Sequence, residues 1–188
     1  MMKDFVDFLL SKVFDPKPID AVHVERALVA TVNDVRYHFP DLDAGEIMRR
    51  IQSNANELAV FLFRLGAELH MAGKEDLIPQ VHGLMRQLCG CEIYFNNSIA
   101  TGFYVIHGVG TVIGSRNTIG RGFKIHHGCT IGHRINGQGA GSRIGNDVTV
   151  YCNSSIIGSL EIGDNAVIGA HQLITDDVAA NQKIFRFK

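Results

Sequence analysis

From Ile113 to Val178 an aliphatic residue returns every six positions: Ile113, Ile119, Ile125 and Ile131, then, after an interruption, Ile144, Val150, Ile156, Ile162, Ile168 and Ile174. Glycine often follows directly, at Gly114, Gly120, Gly132, Gly145, Gly163 and Gly169. A period of six fits neither a helix, which repeats every ~3.6 residues, nor a lone amphipathic strand, which repeats every ~2. It predicts a solenoid in which each hexad makes one flat side of a coil. The aliphatic side chain points inward and stacks on its counterparts in the coils above and below. A second inward position should fall four residues later, where Cys129, Val148, Ser154, Ala166 and Val178 are compact enough to fit. Such coils bury their apolar faces only against one another. The expected architecture is a left-handed parallel β-helix.

The first ninety residues have a different rhythm. Phe5, Phe8, Leu9 and Val13, and, after Pro18, Val24, Leu28, Val32 and Val35, recur at helical spacing. Asp43 followed three residues later by Glu46 has the form of a capping box. Ile47, Ile51, Leu58, Phe61, Leu62, Leu65 and Leu69 then predict one long helix, open to a break near Asn54. Gly73 ends it, and Lys74 to Leu88 predicts another, with Pro79 tolerated near its first turn. The chain thus reads as α+β: an α-helical domain over 1–90 and a β-helix over 91–188.

The repeat already runs through Ile93, Ile99 and Val105, but eight residues rather than six separate Val105 from Ile113. Between Ile131 and Ile144 the spacing is thirteen, so about seven residues are pushed out as a loop, assigned to 133–142. Polar and glycine-rich, this segment cannot be core. Loops on rigid scaffolds are where sites usually sit. The chain closes on a short alternating run, Ile184 to Lys188.

A formal net charge of −1 gives no reason to expect nucleic acid or an anionic membrane as partner. No apolar run approaches the ~20 residues needed to span a bilayer. The four cysteines, Cys89, Cys91, Cys129 and Cys152, lack zinc-knuckle spacing and read as reduced thiols of a cytoplasmic protein, with Cys129 and Cys152 in the core. There is no phosphate-binding loop of the Walker type and no nucleophilic serine elbow.

Candidate chemistry gathers where the repeat is irregular. His107 lies in the hexad lengthened by two residues, among Gly108 and Gly110, where an imidazole has open space and backbone N–H donors nearby. That suits a general base acting on a hydroxyl; a structural histidine is the alternative. His126 and His127 are adjacent, so on a strand one should face inward or along an edge and the other outward. His133 opens the extruded loop, and His171 could pack under a bound nucleotide. Arg134 and Arg143 would favour an acceptor carrying a carboxylate or phosphate. Lys183, Arg186 and Lys188 are candidates for a cofactor phosphate by charge and location.

From about Phe63 to Ala179 the chain resembles the serine O-acetyltransferases of the hexapeptide-repeat superfamily. Phe63-Arg64-Leu65-Gly66 is similar to the tyrosine-arginine-isoleucine-glycine run of that family's last long helix, and Cys91-Glu92-Ile93-Tyr94 to its valine-aspartate-isoleucine-histidine. Fourteen residues after Ile93, His107 falls on the family's catalytic histidine. The resemblance implies acetyl transfer from acetyl-CoA to a hydroxyl, L-serine before others, with no metal. It implies a homotrimer, which the helical domains could pair into a hexamer. Asp41, or Asp43 beside it, falls near the family's acceptor-binding aspartate; Glu92, His127, Arg134 and Arg143 join the acceptor set. Gly132, His133, Gly169, Ala170 and Lys183 are the residues expected to hold CoA.

Three positions depart from the pattern. Ile106 stands where the family has an aspartate next to its histidine. Gly141-Ser142-Arg143 occupies the place of a second, loop-end histidine. The sequence also stops short of the isoleucine-terminated tail that docks cysteine synthase, so a complex with that enzyme is not expected. The first two leave homoserine or an amino sugar open as acceptor, and a non-catalytic binding protein open as a class. His127-Gly128-Cys129-Thr130-Ile131-Gly132 also resembles the last-ligand segment of γ-type carbonic anhydrases. Those enzymes, however, need another histidine five positions before His127, where this chain has Gly122.

Overall fold

The structure is a computed structural model and describes residues 2–135 and 138–185. Helices α1 (Met2–Leu10), α2 (Ala21–His38), α3 (Ala44–Ser53), α4 (Ala55–Met71) and α5 (Ile78–Cys89) come first, with a 3₁₀ turn at Glu75–Leu77. The capping box forms as its residues predict: Asp43 Oδ1 accepts from Glu46 N at 2.8 Å and Glu46 Oε2 accepts from Asp43 N at 2.9 Å. The long helical pattern does break at Asn54, whose extended backbone ends α3 and whose side chain accepts from Asn56 N. The buried face of α2 is more polar than the aliphatic spacing suggests. It carries His23, Val24, Ala27, Thr31, Asp34 and Val35, while Leu28 and Val32 are only partly covered.

The strands wind as three all-parallel sheets. The first stacks β1 (Glu92–Ile93), β4 (Val112–Ile113), β7 (Thr130–Gly132), β10 (Ser155–Ile157) and β13 (Leu173–Ile174). The second stacks β2 (Ser98–Ile99), β5 (Thr118–Ile119), β8 (Arg143–Ile144) and β11 (Glu161–Ile162). The third stacks β3 (Tyr104–Ile106), β6 (Lys124–His126), β9 (Thr149–Val150), β12 (Val167–Ile168) and β14 (Lys183–Ile184). The result is a left-handed parallel β-helix of about five turns. Its hexad aliphatics align in register, as in Ile93↔Ile113↔Ile131↔Ile156↔Ile174. Each such side chain removed from water stabilises the stack by about 1.5–3 kcal/mol.

The second inward position holds Cys129, Val148, Ser154 and Ala166, all fully buried. Val178 is also buried but does something else. It bridges Ile162, taking the aliphatic place of the second sheet only four residues after Ile174. The first coils are not filled by compact residues either: Phe103 and Phe123 occupy that position and stack face to face, 6.1 Å apart. Cys152 lies only half-buried at a corner, outside the core.

Corners require a left-handed residue. Between the third and first sheets these are Gly110, Gly128, Asn153 and His171. At Gly128 the need is double, since φ is 66° and a Cβ would stand 2.2 Å from Asn153 Oδ1.

The helices close the first coil. Phe63 of α4 packs edge-on to Phe103 at 5.6 Å. Gly66, one turn on, leaves room for the Phe95 ring, which lies 2.3 Å from where its Cβ would be. Asp34 of α2, fully buried, receives Arg64 Nε at 2.7 Å and Nη2 at 2.8 Å, and its Oδ1 accepts from Gly102 N and Phe103 N. Arg64 also donates to the carbonyls of Ile99 and Ala100. One buried ion pair thus ties two helices to the turn between the second and third sheets.

Candidate active site

Five residues separate Val105 from the left-handed corner at Gly110, where the next coil needs three, from Ile125 to Gly128. The two extra residues form a bulge at the end of β3. His107 sits on it, exposed, with a left-handed backbone (φ 54°) that a non-glycine residue adopts only at a cost. The bulge is held from the helical side: Gly108 N donates to Asn56 Oδ1 at 3.3 Å. Asn56 belongs to the first turn of α4, the helix that closes the coil, so the position of His107 depends on both halves of the chain.

The coils below bring aromatic rings to the same corner. Ile106 lies opposite His126 in the parallel ladder. His126 stacks on Tyr151 of the following coil at 4.7 Å. The His127 ring stands 6.5 Å from that of His107, at 60°. Neither histidine of the pair turns inward. The strand ends at His126, so His127 already belongs to the corner, and both rings are half-buried. Burial, first, and then the nearby His127 and His107 hold the His126 imidazole below its ordinary pKa.

Along the outer face of the first sheet runs an open cleft of ≈ 580 Å³, bordered by Glu92, Tyr94, Thr130, Gly132, His133 and Arg134 among others. Gly132 and His133, expected to hold CoA, line it. So does Glu92, which faces His82 at 3.6 Å and Arg86 at 3.8 Å on α5. His133 Nε2 is engaged with the Ser115 carbonyl at 3.0 Å, pinning the base of the extruded loop. Arg134 reaches along the sheet to the Thr175 carbonyl at 2.6 Å. Asn136 and Gly137 of the loop lie outside the described residues, as do Arg186 and Lys188.

The other expected residues are not brought to this cleft. Arg143 lies on β8, exposed and 3.7 Å from Glu161, and so faces outward from the second sheet rather than toward an acceptor near His107. Gly169 is packed against Phe185, whose ring comes within 2.4 Å of a Cβ placed there. Ala170 and His171 are exposed at the corner, and Lys183 is exposed on β14. Asp43 spends its carboxylate on the α3 cap. Asp41 is exposed in the turn between α2 and α3, two residues after Phe39, which packs edge-on to Tyr104 at 5.6 Å.

Near that turn is a group that the residue pattern did not single out. Glu57, 2% exposed, pairs through Oε1 with Arg50, and its Oε2 is buried with no hydrogen-bond partner among the described residues. Burial and then the Glu57 charge push the Tyr104 phenol above its ordinary range. Helical periodicity marks Glu57 only as a polar residue in an apolar run, which does not distinguish a surface charge from a buried one.

Cys89 and Cys91 are buried, with thiols pushed up to about 12 and about 11 by burial. Such thiols stay protonated and unreactive at neutral pH. Among the described residues, no group of three or more His, Cys, Asp or Glu side chains is placed to hold a metal ion. No helix among them is long and apolar enough to cross a membrane.

A parallel β-helix of stacked hexads, closed at one end by helices and carrying an imidazole on a bulged corner, defines a solenoid of the hexapeptide-repeat type. No family model matches the chain. The serine acetyltransferase of Helicobacter pylori is 32% identical over 123 residues, covering 64% of this chain and 71% of that protein. Among solved structures, the serine acetyltransferase of Neisseria gonorrhoeae in complex with serine superposes with a TM-score of 0.74 at 22% identity, over 98% of this chain and 72% of that one. The serine acetyltransferase of Brucella abortus in complex with coenzyme A gives 0.75 at 18% identity, over 98% and 70%. The chain belongs to the serine acetyltransferase family.

Proposed function

We propose that this protein transfers the acetyl group of acetyl-CoA to the hydroxyl of L-serine, with His107 as the general base. The observation that carries the reading is the placement of His107: exposed, on a bulge fixed by Asn56 from the helical side, at the corner that leads into β4, whose Val112 lines the first-sheet cleft. A base within hydrogen-bond reach of a hydroxyl contributes about 10²- to 10⁴-fold. His107 takes the hydroxyl proton as the oxygen attacks the thioester carbonyl, and returns it to the departing sulfur. Relatives of the family bind serine, and others coenzyme A, on the same fold. Gly132 and His133 border the cleft where the pantetheine arm would run, and Asp41 and Glu92 remain the carboxylates proposed for the acceptor.

The active form is proposed to be a homotrimer. Val109, Tyr151 and Leu173 are apolar or aromatic and exposed around the corner and the first sheet, surface that a neighbouring solenoid would cover. The free thiols fit a reducing cytoplasm.

One observation favours a second acceptor. Ile106, half-buried beside His107, offers no charge to an ammonium group, which suits a hydroxyl substrate without one. Thiol release from acetyl-CoA, followed with serine, homoserine, a panel of amino sugars and, as acceptors without an ammonium group, hydroxy acids and plain sugars, separates the readings. Turnover fastest with serine supports the first. No release with any of them overturns the enzyme assignment.

A further inference from the structure

We infer that His127 is a second catalytic residue, donating a hydrogen bond from Nε2 to the oxyanion formed when the acceptor attacks the thioester. The inference rests on the proposed activity and deepens it. Two observations place His127 in the site. Its ring stands 6.5 Å from that of His107 at 60°. At that separation a nitrogen of each ring can lie about 2.8–3 Å from one of the two oxygens of a single tetrahedral centre, so the pair brackets the reacting centre rather than bonding to each other.

The second observation concerns the proton. His127 Nδ1 is buried and has no hydrogen-bond partner among the described residues. An N–H left alone in that environment is rarer than an unpaired acceptor. The tautomer this favours carries its proton on Nε2, on the less enclosed side of a half-buried ring. That makes His127 a fixed N–H donor with little to reorganise when charge develops, the property that makes an oxyanion donor effective. The corner geometry explains its aim. β6 ends at His126, which stacks outward on Tyr151, and His127 turns with the chain at Gly128.

The step balances without any further reactant. His107 takes the hydroxyl proton, and the acceptor oxygen bonds to the thioester carbon. The carbonyl π pair moves onto oxygen, where His127 Nε2–H meets it. The intermediate then collapses, the carbon–sulfur bond breaks, and His107 delivers the proton to the leaving thiolate.

The test compares His127→Ala with His127→Gln, whose amide N–H can take the place of Nε2–H but cannot titrate. With serine and acetyl-CoA, His127→Ala should lower kcat about 10²- to 10³-fold, the usual cost of one such donor, with KM for acetyl-CoA unchanged. His127→Gln should recover most of that rate. Thermal melting by circular dichroism checks that both variants are folded. Parent-like kcat in folded His127→Ala overturns the inference, and so does equal loss in both variants, which would make the ring a proton carrier. A rise in acceptor KM alone overturns it too. If His107→Ala is inactive while His127→Ala is not, only this inference fails; if the parent protein itself releases no thiol, the proposed activity fails with it.

Discussion

The first coil and the third are built from the same hexads, yet one takes up two extra residues where its third sheet turns into the first, and the other extrudes a whole loop where its first sheet turns into the second. In the third coil a loop opens between β7 and β8, and its His133 and Arg134 border the cleft. In the first coil the excess is only two residues, and it puts His107 into a left-handed backbone that the helical domain supports through Asn56. Long insertions leave the stack undisturbed because their ends stay in register, Ile131 and Ile144 both lying in their columns. A short insertion at a corner cannot leave the coil, so it must be absorbed there as strain and compensated from outside. The smaller irregularity is therefore the one the rest of the molecule is built to hold.

That contrast can be broken from the helical side. Asp34→Ala removes one half of a buried ion pair and leaves Arg64 without its carboxylate, which should cost about 3–5 kcal/mol in denaturant unfolding. A loss near zero would mean that the helices do not support the first coil. Ile125→Ala, in the middle of a column, should cost about 2–5 kcal/mol through lost burial and the cavity left behind. It should do so without singling out the acetyl-transfer step in the remaining folded protein. Asn56→Ala sharpens the comparison in the other direction. One hydrogen bond is worth about 0.5–1.5 kcal/mol of stability, but losing this one frees the bulge, so kcat should fall by more than that stability loss accounts for. Equal effects on stability and rate would make Asn56 an ordinary packing contact.

The smallest expected effect is a pH dependence. His126 and His38 both sit below their ordinary pKa, each chiefly through burial. His126 also faces His107 and His127, while His38 meets the Gly102 carbonyl, Lys124, Asp34 and Asp147. Because the unfolded chain binds protons there more readily, these groups contribute stability above about 6.5 that is lost as pH falls through their folded values. The denaturation midpoint should drop between neutral pH and pH 5; a midpoint rising over that interval would contradict the burial of both rings.

How far these features could be read from the residues follows the same division. The columns were legible because a six-residue period needs only aliphatic identity, and the capping box because Asp43 and Glu46 are local partners. Phe103 and Phe123 inside the coil were not, since the room they fill depends on how α4 closes the end of the prism. His107 stood out from the lengthened hexad, but its support by Asn56, fifty-one residues earlier, is a tertiary contact that no local pattern carries. Arg143 was singled out by its charge at the end of the interruption, and charge alone does not show that it stands on β8, exposed and 3.7 Å from Glu161. Asp34 and Glu57 were missed for one reason: helical spacing treats a charged residue as exposed, whereas both are buried beside arginines.

The most direct measurement of the whole account is the steady-state rate of His107→Ala, taken alongside its affinity for CoA. A fall in kcat of about 10²- to 10⁴-fold with CoA binding unchanged is the predicted result. A folded variant that still turns over at the parent rate would show that the bulge carries no base, and the proposed mechanism would be wrong.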